Sequence, residues 1–115
     1  MVRYVRVVAN PTLDYPDKKP LYFDLIVNSD NEIVGDHPIF GFHGDIDSKS
    51  GYSYPFVLHD DGRASFGQDC EDEWNRIDLR TGKIVEGRLF CYSGSGFNVS
   101  YRIAIVRPLA EATEI

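Results

Sequence analysis

The residues of this chain whose types could do chemistry are three histidines, two cysteines and a set of clustered acids. His37, His43, Asp45 and Asp47 bring two imidazoles and two carboxylates close together in sequence. His43 and Asp45 are two apart and would project from one face of an extended chain, a spacing that a zinc ion tolerates. No third ligand follows at a defined spacing, so no metal ligand and no cofactor is assigned. Asp45-x-Asp47 also opens like a calcium loop, but the remaining positions carry Lys49, Ser50 and Phe56 where that loop needs an acid or amide, a glycine and a glutamate.

Nucleophilic chemistry is no better provided for. A catalytic thiol needs a base beside it and a group that orients the base. Cys91 lies between Phe90 and Tyr92 in a strand-like run and reads as a small core hydrophobe, while Cys70 sits among acids that disfavour its thiolate. Both are expected as reduced thiols. Ser93-Gly94-Ser95-Gly96 opens no helix and so is neither a nucleophile elbow nor a phosphate cradle. No catalytic residue is assigned. An acid-base or metal-dependent enzyme built on His37, His43, His59 and the acids at 45, 47, 60 and 61 is the alternative that these residues keep open.

The densest charge is the run Asp69, Cys70, Glu71, Asp72, Glu73, closed by Trp74. Tryptophan and tyrosine are favoured at protein interfaces because they bring a large rigid area with one polar handle. The candidate binding residues are therefore Asp69, Glu71, Asp72, Glu73 and Trp74, with Tyr52 and Phe97 from neighbouring loop-like stretches. Tyr15, Tyr54 and Tyr92 are further aromatics expected near loops.

These residues need a scaffold, and the hydrophobic pattern describes one. Strand-like runs of apolar residues occur over Arg3 to Ala9, Leu21 to Asn28, Tyr54 to Asp60 and Arg63 to Gln68, and His37 to His43 carries Ile39, Phe40 and Phe42 around Gly41. Asp60-Asp61-Gly62 reads as a hairpin turn, and Gly41 within its strand as a bulge or a close backbone approach. The segment from Asn75 to Leu109 organises the rest: strand-like runs flank Arg80-Thr81-Gly82-Lys83, and a long strand places Val99, Tyr101, Ile103 and Ile105 on one face, with Ser100, Arg102, Ala104 and Val106 on the other. Leu21 to Asn28 carries apolar residues on both faces, as a central or barrel strand would.

A length of 115 residues fits one domain spanning 1–115. With 13% aromatics, which suit a pleated, half-buried surface, the pattern predicts an all-β fold: a small antiparallel barrel or sandwich of seven or eight short strands with no large helix. A net charge of −6 disfavours binding to phosphate backbones and anionic membranes, so no nucleic acid and no membrane partner is expected. The N-terminus has no uninterrupted apolar run of the kind a signal peptide carries, and the expected location is the cytoplasm. The reading that results is a non-enzymatic, acidic protein-interaction module of the inhibitor, immunity or adaptor type. A small-ligand carrier using a barrel interior is the third alternative.

Overall fold

A computed structural model describes residues 2–12, 19–35, 37–44, 53–66, 75–94 and 96–109. Strands β1 (Val2–Pro11), β2 (Leu21–Asn28), β3 (Ile39–Gly44), β4 (Ser53–Leu58), β5 (Arg63–Ser65), β6 (Asn75–Ile77), β7 (Leu89–Gly94) and β8 (Phe97–Pro108) follow one another around a closed antiparallel barrel. Each strand pairs with its neighbours in sequence, and β8 closes on β1. The architecture is thus the barrel among the two all-β forms that the pattern allowed.

Inward positions follow the expected alternation. Val5, Val7 and Ala9 of β1, Leu21, Phe23, Leu25 and Val27 of β2, and Val99, Tyr101 and Ile103 of β8 are all buried in one core cluster. An eight-stranded barrel is just wide enough for its inward side chains to fill it. Phe23 lies at the centre, edge-on to Phe56 at 5.7 Å and to Phe90 at 5.9 Å. Gly41 is the close approach its position suggested: a Cβ there would lie 2.5 Å from the Phe56 ring and 2.6 Å from the Tyr22 carbonyl oxygen.

Two departures from the simple pattern shape the molecule. The alternation along β8 is broken by a bulge, because Val8 pairs with Ile105 while the next residue, Ala9, pairs with Ile103. One extra residue in a strand turns all later side chains to the opposite face. Ile105 is accordingly 41% exposed, and Val106, assigned by alternation to the outer face, packs against the core.

The second departure lies after Ile77. Leu79 is buried as its pattern implied, but from a 3₁₀ turn at Asp78–Thr81 and not from a strand. Leu79 and Ile84 close that end of the barrel, with the Ile84 N–H donating to the Asn31 carbonyl at 2.7 Å. The Asp60-Asp61-Gly62 hairpin is present as expected. His59 N–H donates to Arg63 O at 2.8 Å, and Gly62 holds the positive φ of 94° that the turn requires.

Candidate functional site

The meander sorts its connections by end. Those joining β2 to β3, β4 to β5 and β6 to β7 meet at the end closed by Leu79 and Ile84. The strand ends that lead from β1 to β2, β3 to β4, β5 to β6 and β7 to β8 lie at the opposite rim. The ends of β3, β4, β5 and β6 that flank residues 45–52 and 67–74 in sequence therefore lie at that rim, as does the β7–β8 hairpin. Asp69, Glu71, Asp72, Glu73, Trp74 and Tyr52 themselves lie outside the described residues, as do Tyr15, Asp45, Asp47 and Cys70.

Beneath the rim the barrel is lined with rings. Tyr92 stands edge-on to His43 at 5.6 Å and to Phe97 at 5.1 Å, and lies nearly parallel to Phe66 at 6.5 Å. His43 also meets Phe66 edge-on at 6.4 Å. These residues arrive from the last positions of β3 and β7, the first of β8 and the exit of β5, so four strands set the cluster. Phe97, half-buried, is the sequence-derived binding candidate that the structure places within it. Tyr92, expected near a loop surface, is instead only 7% exposed, because its strand position points inward among those rings.

Packing at this depth is tight. A Cβ on Gly94 would lie 2.3 Å from Asn75 Oδ1 and 2.5 Å from the Phe97 ring, so the hairpin can seat Phe97 only over a glycine. The Tyr101 hydroxyl donates to the Lys19 carbonyl at 2.8 Å and ties the β1–β2 connection to the core. Burial pushes the Tyr92 hydroxyl up to about 12, and drives that of Tyr101 higher still, with the neighbouring Tyr92 adding to the effect. Both tyrosines therefore stay neutral across the physiological range.

One side of the rim is loosely closed. Only Val57 and Leu58 of β4 pair with β5, so β4 from Ser53 to Phe56 has no strand neighbour on that side among the described residues. A groove of about 310 Å³ opens there between Phe40, Phe42, Pro55, Val57, Ser65 and Phe66. The His59 N–H points toward β5, so by the two-residue period of a strand position 55 faces the same way. Proline stands there, offering no donor to an incoming strand.

The opposite end is held by two arginines. Arg80 donates from Nε to the His59 carbonyl at 3.0 Å and from Nη2 to the carbonyls of Leu58, at 3.2 Å, and His37. Arg88 donates to the carbonyls of Leu79 at 2.7 Å and Asp78 at 3.0 Å, and its guanidinium packs over Gly82. Burial lowers the Arg88 pKa from its ordinary value, and the Asp78 carboxylate opposes that. These carbonyls lie at strand ends and in a 3₁₀ turn, and a forked cation reaches several at once, that of His59 accepting from the Gly62 N–H as well. Nothing in the sequence marked the two arginines for this task, since the acceptors come from three separate connections.

The histidines are not gathered into one centre. His37 precedes β3 at the closed end and His43 lies near its far end, six residues on, about 20 Å at the ~3.3 Å rise of a strand. His59 follows β4 at the closed end. Among the described residues no group of three His, Cys, Asp or Glu side chains could hold a metal ion. Cys91 is a free, half-buried thiol on the outer side of β7, its N–H bound to Asp78 Oδ1 at 2.9 Å. Among the described residues no helix is long and apolar enough to cross a membrane. No protein-family model, curated protein or solved structure matches this chain.

Proposed function

We propose that this chain is a non-enzymatic binding module whose working surface is the rim opposite the Leu79–Ile84 plug. The observation that carries the reading is the division of labour between the two ends. One is closed by buried side chains and held by arginines that spend their donors on the backbone. At the other, the strand ends that flank Tyr52 and Asp69 to Trp74 in sequence carry the His43–Phe66–Tyr92–Phe97 ring cluster. A rigid barrel that anchors variable connections at one end is a common way to present binding residues. The four acids at 69, 71, 72 and 73 suit a basic protein surface, with Trp74 as the central anchor.

Two observations weigh against the other readings. A histidine-based enzyme would need groups that β3 holds at opposite ends of the barrel. A carrier would need interior space, and around Gly41 and Gly94 there is none even for one added methyl group. In affinity capture with the immobilised protein, Trp74→Ala and Phe97→Ser are expected to lose most of a specific protein partner while the far-ultraviolet circular dichroism stays unchanged. Undiminished capture by both variants, or stoichiometric metal in the purified protein, would overturn the reading.

A further inference from the structure

The outside of the barrel is not uniform. Outward positions on β5, β6 and β7 are mostly polar, among them Arg63, Ser65, Arg76 and Ser93. On β8, β1, β2 and β3 the register instead aligns one mixed row, Arg107, Arg6, Asp24 and Phe40. A second row beside it holds Leu109, Tyr4 and Ile26, with the Leu109 N–H donating to the Tyr4 carbonyl at 3.0 Å. Phe40 is 62% exposed and Tyr4 50%, the kind of large aromatic surface that a solvated wall seldom carries so densely. The row containing Val8 and Tyr22 is already covered, at 8% and 5% exposure, so the open surface ends there.

We propose that this wall joins two copies of the chain about a twofold axis running along the strands between β1 and β2. The argument is the order of the residues. Such an axis sets β1 against the partner's β2 and β8 against the partner's β3. Each Arg6 then faces an Asp24 of the other copy, each Tyr4 an Ile26, and each Arg107 the face of a Phe40. The Arg6–Asp24 pair is bidentate within one chain, at 2.7 and 2.8 Å, and its side chains keep about a fifth of their surface exposed. Two such pairs stacked in opposite senses form a closed square of alternating charge. Arg107 lies directly across from Arg6 in the sheet, a like-charge juxtaposition that is unfavourable in one chain. In the dimer it meets an aromatic face with the second Asp24 alongside, which a cation favours. The pattern is complementary to itself, as a twofold interface requires.

The contact is small. Four strands spaced ~4.8 Å apart and a strand length of ~20 Å give roughly 400 Å² per copy, about half of a standard interface. The dimer is therefore weak and concentration-dependent.

Sedimentation velocity over micromolar to millimolar protein is the first test. A reversible monomer–dimer equilibrium is expected, weakened roughly tenfold or more by Phe40→Lys, which sets a second cation against the other copy's Arg107, and left unchanged by Leu89→Lys, a comparably exposed site on β7. The second test fixes the axis. Within one chain positions 40 and 107 are three strand spacings apart, ~14 Å, beyond the ~7 Å limit for a disulfide. The double variant Phe40→Cys/Arg107→Cys should thus give an oxidised covalent dimer, and each single variant should not. A monomer at every concentration, equal effects of the two lysine substitutions, or linked dimers from the single variants as readily as from the double would overturn the proposal.

Discussion

Arg80 spreads one guanidinium over the carbonyls of Leu58, His59 and His37, which come from the ends of two different connections. A lysine keeps the charge but cannot fork, so at least one hydrogen bond from a charged donor to a part-buried carbonyl is lost, at a cost of ~1.5 to 3 kcal/mol. Arg80→Lys is expected to lower the urea midpoint by an amount equivalent to about 2 kcal/mol with the slope m unchanged. A change in m would mean that the closed end had opened in the native state. The two buried tyrosines make a second prediction at this scale. Each has a folded-state pKa above its ordinary value of 10.0, so the folded protein holds protons that the unfolded chain releases. Stability is then fully present below about pH 10 and falls as pH rises toward about 12. Thermal melts across that interval should show the decline, and Tyr92→Phe should flatten it while leaving melts near pH 8 little changed.

At the scale of elements, the strands were legible wherever alternation ran unbroken. Val5 and Val7, Phe23 to Val27, and Val99 to Ile103 all face inward as their spacing implies. The Asp60-Asp61-Gly62 hairpin was legible because turn chemistry is local. What alternation could not carry was the change of face at residue 104, since a bulge is decided by how β8 must bend to close on β1. Nor could it distinguish Leu79 buried from a 3₁₀ turn from Leu79 buried in a strand, because one apolar residue on either side of a polar one fits both. Tyr92 was misplaced for a related reason: a tyrosine near a Gly-Ser stretch resembles a loop residue until the register shows it pointing inward. Gly41 was legible as a special position but its partner was not, as Phe56 comes from the next strand. Gly41→Ala should cost ~1 to 3 kcal/mol through overpacking. Combining it with Phe56→Leu should recover part of that loss, with the Tyr22 carbonyl accounting for the remainder. In a double-mutant cycle by denaturant titration, a full recovery would show that the Tyr22 carbonyl is no obstacle, and none that Phe56 is not the relevant one.

The whole molecule offers three surfaces of one barrel: a closed end held by buried side chains and arginines, a rim proposed to bind and an outer wall proposed to pair two copies. The candidate residues could be named from composition and charge, but that the strands flanking 45–52 and 67–74 end at one rim follows only from the meander. Charge order distinguishes the wall from the rim, since the wall carries balanced Arg6 and Asp24 whereas the acids at 69 to 73 are uncompensated within their own run. The most direct measurement of the central claim is hydrogen exchange on the protein alone and saturated with its captured partner. Added protection should fall on the rim ends of the strands, at His43 to Tyr54 and at Ser93 to Asn98, with 78–88 unchanged. Protection concentrated at 78–88, with the rim exchanging as in the free protein, would contradict it.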